Sequence, residues 1–212
     1  MNDISARIRT SLSAGLFFFG LYALLPSFFV CLLFSLACWM LMVEWPRVRG
    51  ELRAFTFLYP LVPLILLIVH VVQWRAVSPW YGLYPFIAAW LVDVVAYFVG
   101  SRWGVHHCWP TISPRKTWEG VVGGVVALCL LHLVLCIFHC TTYPWWYMMT
   151  SAVVVAMVAM LGDLIMSWYK RQEGLKDTGG MLPGHGGLLD RFDSVLAVIV
   201  LLKAAEVIPG VL

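Results

Sequence analysis

The sequence predicts an all-α fold, a polytopic transmembrane helical bundle of about seven spans with its N-terminus on the cytoplasmic side. Three observations carry that expectation. Of 212 residues, 62% are Ala, Val, Ile, Leu, Met, Phe, Trp, Tyr or Cys and only 12% are charged, more apolar material than a water-soluble globule can hide. The apolar residues gather into windows of spanning length. The 14 basic residues gather on alternate connections between those windows. The composition excludes disorder as well, because 15% of the chain is aromatic and the mean hydropathy is +0.88. No length remains for a separate soluble domain, so 1–212 reads as one integral-membrane domain, with N-terminal spans in 1–79 and a second region in 80–212.

The windows fall at about 8–25, 27–45, 55–74, 80–100, 120–139, 145–167 and 192–208. Arg7 and Arg9 precede the first, but no small-residue cleavage site follows it, which favours a retained span over a signal peptide. Only Leu25-Pro26-Ser27 separates the first two windows, so they predict a tight helical hairpin. Pro60 and Pro63 lie within the third, where a missing backbone donor predicts a bend. Cys31, Cys38, Cys129 and Cys136 sit inside apolar runs and Cys108 and Cys140 near the ends of others, the pattern of small buried residues rather than a disulfide framework. His106, His107 and Cys108 have no second ligand pair at zinc-site spacing and read as loop.

With the N-terminus inside, Arg7, Arg9, Arg47, Arg49, Arg53, Arg102, Arg115, Lys116, Lys170, Arg171, Lys176 and Arg191 all fall on the cytoplasmic side, twelve of the fourteen. Arg75 faces out, and Lys203 lies within the last window, placed to pair with Glu206 three residues on. The outer connections near 26, 75–79 and 140–144 are short and nearly uncharged. The inner ones at 101–119 and 168–191 are long, polar and rich in Gly and Pro, so function belongs at the cytoplasmic face.

On the sixth span, at about 100° per residue, Asp163, Ser167 and Lys170 project within an arc of about 60°. An acid in or near the hydrocarbon is costly and normally faces the bundle interior or a wet cavity, which makes Asp163 a functional candidate; the plainer alternative is an ion pair with Lys170 or Arg171. Beyond that helix come Lys176, Asp177, Gly179-Gly180, Pro183-Gly184-His185-Gly186-Gly187, Asp190-Arg191 and Asp193-Ser194. Glycines let backbone amides approach an anion, and carboxylates among Lys and Arg suit a Mg²⁺ ion bridging nucleotide phosphates. Asp190 is also placed to cap the last helix. The other inner loop, Ser113-Pro114-Arg115-Lys116-Thr117-Trp118-Glu119-Gly120, repeats that chemistry more sparsely and lacks the P-loop spacing. Asp93, Tyr97 and Gly100 share one stripe of the fourth span.

These residues resemble the signature of the phosphatidate cytidylyltransferases, the CDP-diacylglycerol synthases. The resemblance rests on Ser167-x-x-Lys170-Arg171, Lys176-Asp177, Pro183-x-His185-Gly186-Gly187 and Asp190-Arg191-x-Asp193. Two weaker blocks agree in order, Asp93-x-x-Ala96-Tyr97-Phe98-x-Gly100 and Ser113-Pro114-x-Lys116-Thr117-x-Glu119-Gly120 with Gly123-Gly124. Together they span 93–194. Two departures stand out: Tyr169 replaces the family's usual aliphatic residue or Phe, and the chain is shorter than most members, which carry more spans before Asp93.

The resemblance implies transfer of a cytidylyl group from CTP to phosphatidic acid in a bacterial cytoplasmic membrane, with 80–212 as the catalytic region. By that analogy Asp163, Asp190 and Asp193 form the metal centre for Mg²⁺, with room for a second, monovalent ion. Lys170, Arg171, Lys176, Asp177, His185 and Arg191 are the catalytic residues, the four cations on phosphate oxygens, and His185 suits a hydrogen-bonding part of the glycine turn better than a base. Asp93, Ser113, Lys116, Glu119 and Ser167 fall to substrate binding. Membrane lipids and a homodimer partner are implied, and no nucleic acid. The alternatives are a CTP-dependent polyprenol or phytol kinase, a cytidylyltransferase for an archaeal-type lipid phosphate, and an ion-coupled transporter using Asp93 and Asp163.

Overall fold

A computed structural model describes residues 15–48, 58–74, 79–138, 140–141, 143–180 and 186–207. Among them the chain forms α1 (Gly15–Leu24), α2 (Pro26–Val48), α3 (Leu58–Trp74), α4 (Pro79–Trp103), β1 (His107–Trp109), β2 (Ser113–Thr117), α5 (Trp118–Ile137), α6 (Trp145–Gln172) and α7 (Leu189–Val207). The start of the first window, with Arg7 and Arg9, lies outside the described residues, as do Arg49, Arg53 and Arg75.

Among the described residues, four helices are long and apolar enough to cross a bilayer: Pro26–Val48, Trp80–Trp103, Trp118–Ile137 and Trp145–Gln172. The chain is therefore an integral membrane protein, and large side chains such as Leu24, Phe28, Val122 and Leu161 are left on its outer surface. The described parts of α1 and α3 are shorter. α7 has the length, but Asp190, Arg191, Asp193, Lys203 and Glu206 interrupt its apolar run.

Local sequence explains the breaks. Pro26 occupies the first position of α2, where its missing donor costs nothing, and Leu25 leaves helical geometry at φ −135°. A straight helix would set Phe18 and Phe29 about 16 Å apart along its axis. Their rings lie 4.7 Å apart, so the chain doubles back at Leu25-Pro26 as the hairpin reading expects. Within α2, residues Met40–Glu44 widen into a π-turn in which Trp45 N–H reaches the Met40 carbonyl. Pro46 accounts for it: an α-helical path would press its ring against the carbonyl of Met42. In α3, Pro60 falls in the first turn, which needs no donor, and Pro63 lies inside the helix.

The 101–119 connection departs from an all-helical chain. β1 and β2 pair antiparallel, His107 opposite Thr117 and Trp109 opposite Ser113, with an irregular register between. The Glu119 carboxylate pins the entry to this ribbon, accepting from Val105 N–H at 3.2 Å and from His106 N–H and Nδ1. Thr117 then caps α5, its hydroxyl accepting from Gly120 N–H at 3.2 Å.

One buried core, including Phe29, Trp45, Phe86, Leu128, Leu189 and Ile199, joins the helices. In a bilayer, helix association draws on close packing rather than transfer from water, so small residues matter at the contacts. Gly120 and Gly124 let α5 lie against the α4 backbone at Ala96 and Val92. At Gly162, a Cβ would stand 2.7 Å from the Asp193 carbonyl and 2.6 Å from Ala197 Cβ, which sets how closely α6 and α7 approach. All six cysteines are free.

Candidate active site

The two long polar connections meet at one end of the bundle, where Arg171 Nε donates to the Ile112 carbonyl at 3.3 Å and Nη1 to that of Leu175 at 2.8 Å. Just inside that end, α4 brings Asp93, β2 brings Lys116, α6 brings Asp163, Ser167 and Lys170, and α7 brings Asp190 and Asp193. Lys116 crosses from the ribbon to α6, its Nζ 2.7 Å from Asp163 Oδ2 and 3.4 Å from the Met160 carbonyl. Ser167 Oγ donates to Asp163 Oδ1 at 3.2 Å, as their shared stripe requires. Asp163 thus has an ionic partner, but it is Lys116 and neither Lys170 nor Arg171.

Lys170 instead holds Asp190, Nζ to Oδ1 at 2.6 Å. The other oxygen of Asp190 collects the loop, accepting from Thr178 N–H (2.8 Å), Thr178 Oγ1 (3.1 Å) and Gly187 N–H (3.0 Å). So Asp190 gathers the loop ahead of α7. Gly186 takes φ +85° there, a conformation that suits glycine.

Asp93, Asp163 and Asp193 lie near enough for their like charges to act on one another, with Lys116 and Lys170 as the opposing cations. Asp193 is buried and accepts from the neighbouring Ser194 N–H at 2.7 Å. This is a concentration of hard oxygen donors beside two ammonium groups, the environment that a metal-bound phosphate needs. Among the described residues, no three His, Cys, Asp or Glu side chains are grouped so as to hold a metal ion. A Mg²⁺ site of one or two carboxylates completed by substrate phosphates does not require such a group.

The remaining candidates stand around this centre. Arg191 is exposed on the first turn of α7, its charge reaching Asp93. Lys176 and Asp177 are exposed on the loop. Ser113 lies on the ribbon opposite Trp109, and Glu119 faces back onto the ribbon. His185 lies outside the described residues. Two cavities flank the bundle's ends. One of about 410 Å³ lies beside the loop, lined by Trp39, Glu44, Arg47, Gly179 and Gly180. The larger, about 840 Å³, lies toward the opposite end among Tyr84, His132, Tyr147 and Ser151, away from the acids.

Comparison with known proteins bears directly on this arrangement. Residues 6–207 match the model of the cytidylyltransferase family. The chain belongs to that family. Among curated relatives, it is 42% identical to a phosphatidate cytidylyltransferase of Staphylococcus saprophyticus over 135 residues, 64% of this chain and 52% of that protein. It is 45% identical over 123 residues to the phosphatidate cytidylyltransferase of Staphylococcus epidermidis, and 43% to that of Staphylococcus aureus, 58% of this chain and 47% of theirs in both cases. The matched stretch spans about half the length of these relatives.

Two residues of this cytidylyltransferase-family chain escaped the sequence reading. Glu44, 1% exposed in the π-turn of α2, accepts from Leu188 N–H (2.8 Å) and Leu189 N–H (2.6 Å) and from Thr178 Oγ1 (3.1 Å). The available signal was a lone acid at the end of an otherwise apolar window. Thr178, also buried, joins Glu44 to Asp190. Tyr169, the departure from the family pattern, packs against Trp45 and Tyr59 at ring-centroid distances of 5.6 and 5.3 Å.

Proposed function

We propose that this chain transfers the cytidylyl group of CTP to phosphatidic acid, releasing pyrophosphate and forming CDP-diacylglycerol. The observation that carries this reading is the meeting of Asp93, Asp163 and Asp193 with Lys116 and Lys170 at the loop-bearing end of a membrane bundle. Membership of the cytidylyltransferase family and the names of its relatives support it.

In the proposed reaction an oxygen of the phosphatidate phosphate attacks the α-phosphorus of CTP. The bond from that phosphorus to the bridging oxygen breaks, and pyrophosphate leaves. The attacking phosphate is already ionised near neutral pH, so the protein's task is alignment and charge neutralisation rather than proton abstraction. Lys116 and Lys170, each held by a carboxylate before substrate arrives, are placed to take phosphate oxygens, with Arg171, Lys176 and Arg191 at the rim and Ser167 orienting Asp163. One or two of Asp163, Asp190 and Asp193 would hold Mg²⁺, with substrate phosphates completing its ligands and Asp93 nearby, and the ion would supply positive charge against that developing on the leaving group. Ser113, Glu119, Asp177 and His185 complete the assignment as ribbon and loop residues around the substrates.

The finer topology belongs to the same reading: about seven spans, the N-terminus and both polar connections in the cytoplasm where CTP is found, a bacterial cytoplasmic membrane, and a homodimer. The acyl chains remain in the bilayer while the head group reaches the acids. Purified protein in detergent with α-³²P-CTP, phosphatidic acid and Mg²⁺ is expected to move label into the lipid. A lipid kinase would leave the α-phosphorus in the nucleotide, and a transporter would leave CTP intact; either result overturns the proposal.

A further inference from the structure

Glu44 comes from the N-terminal half of the chain, yet among the described residues its hydrogen-bond partners belong to the catalytic half. Its two oxygens take the N–H groups of Leu188 and Leu189, at the start of α7, where the first amides have no partner within the helix. A carboxylate there is also favoured by the positive end of the helix dipole. The same side chain accepts from Thr178 Oγ1, whose oxygen lies 3.1 Å from both Glu44 Oε2 and Asp190 Oδ2. One hydroxyl proton serves only one of these acceptors at a time, but with the hydroxyl on Glu44 the Thr178 N–H still donates to Asp190 at 2.8 Å, so Thr178 joins the two carboxylates. Asp190 in turn holds Lys170 on α6.

An acidic side chain buried this deeply is costly unless its oxygens are partnered, and a Ser or Asn cap would satisfy the same helix end at less expense. What the carboxylate adds is a two-point grip. Bonds to consecutive amides at two oxygens fix both the rotation and the depth of the first turn of α7. That turn bears Asp190, and Asp193 follows one turn later, its backbone carbonyl against α6 at Gly162 and its carboxylate within reach of the charge of Asp163. Glu44 is the last residue of the π-turn at Met40–Glu44.

We infer that Glu44 is a positioning residue of the reaction centre, setting Asp190 and Asp193 against Asp163 and Lys170 through its grip on α7 and Thr178. This inference rests on the cytidylyl-transfer reading. It gives the N-terminal hairpin a part in the chemistry.

The test compares the full chain with Glu44→Gln, Thr178→Ser and Thr178→Val in detergent. Glutamine keeps the shape but turns an NH₂ group toward an amide donor. Glu44→Gln is expected to lower kcat about 10–100-fold with far less change in the KM for CTP, as loss of a group that orients ligands does. Thr178→Ser keeps near wild-type kcat, Thr178→Val falls with Glu44→Gln, and the double variant falls little below the worse single because both cut one chain of contacts. Hydrogen exchange at Leu188 and Leu189 is expected to accelerate in Glu44→Gln without substrate, while the α5–α6 core keeps its protection. Wild-type kcat in Glu44→Gln overturns the inference, as does a higher KM for CTP at unchanged kcat, which would make Glu44 a nucleotide contact. Should Glu44→Gln fail to fold, the threonine pair decides: a valine variant as active as the serine variant overturns it. If wild-type protein transfers no label, the functional reading fails instead, and the exchange result still reports on the grip.

Discussion

Lys170 and Asp190 keep only 9% side-chain exposure each, whereas Lys116 and Asp163 keep 21% and 29%. The difference separates the consequences of two similar substitutions. Removing one partner of a buried pair strands a charge, at a cost of about 3–5 kcal/mol. Asp190 also gathers Thr178 and Gly187, so Asp190→Asn is expected to lose thermal stability and cytidylyl transfer together. Asp163→Asn breaks a partly solvated pair worth about 0–1 kcal/mol. It should melt close to wild type while label transfer falls about a hundredfold. Melting in detergent beside the labelled-CTP assay checks both, and wild-type turnover by Asp163→Asn at limiting Mg²⁺ would remove it from the metal centre. The Asp163, Ser167 and Lys170 stripe was legible in the sequence because it follows from helical angle alone. Its partners were not, since Lys116 lies 47 positions from Asp163 and only the tertiary fold brings β2 to α6.

At the scale of elements, the site is a matter of how closely helices approach. Gly162 is the close approach nearest the acids, because the atoms a Cβ would meet include the Asp193 carbonyl, which moves only if α7 moves. Gly162→Ala is therefore expected to destabilise by about 1–3 kcal/mol through overpacking. Activity should fall further than stability, since Asp163 and Asp193 separate with their helices. Gly20→Ala is the control: nothing lies within 4 Å of its Cβ position, and alanine in α1 should be neutral or stabilising by up to about 1 kcal/mol. Equal melting and equal turnover in both variants would contradict the close approach. The helices themselves were readable from apolar windows. The ribbon was not, because His107–Trp109 and Ser113–Thr117 are joined without an Asn-Gly or Asp-Gly turn and carry no sustained alternation. The π-turn was equally hidden: Pro46 signals a disturbance of α2 without giving its form or the partners that Glu44 finds in the far half of the chain.

For the whole molecule, charge and hydropathy gave the membrane class, and their asymmetry gave an end for the chemistry. The structure places both polar connections at one end, joined by Arg171 and Ile112, with the Tyr84, His132 and Ser151 cavity toward the other. A bundle of this kind has two possible orientations, and the excess of Lys and Arg favours the loop-bearing end in the cytoplasm. Cys140 supplies a native reporter for the opposite end, being exposed between α5 and α6. Cys108 is a poor reporter for the loop end because it is partly covered and burial pushes its thiol upward, reducing the thiolate that alkylation needs. Glu173, exposed after α6, serves better as Glu173→Cys in a background with the other cysteines replaced by serine. A membrane-impermeant maleimide added to spheroplasts is expected to label a Cys140-only chain and spare a Glu173→Cys-only chain. Inverted vesicles should reverse the pattern. Labelling of Glu173→Cys from outside would put the acids on the side without CTP, so the proposed reaction requires the first pattern and is excluded by the second.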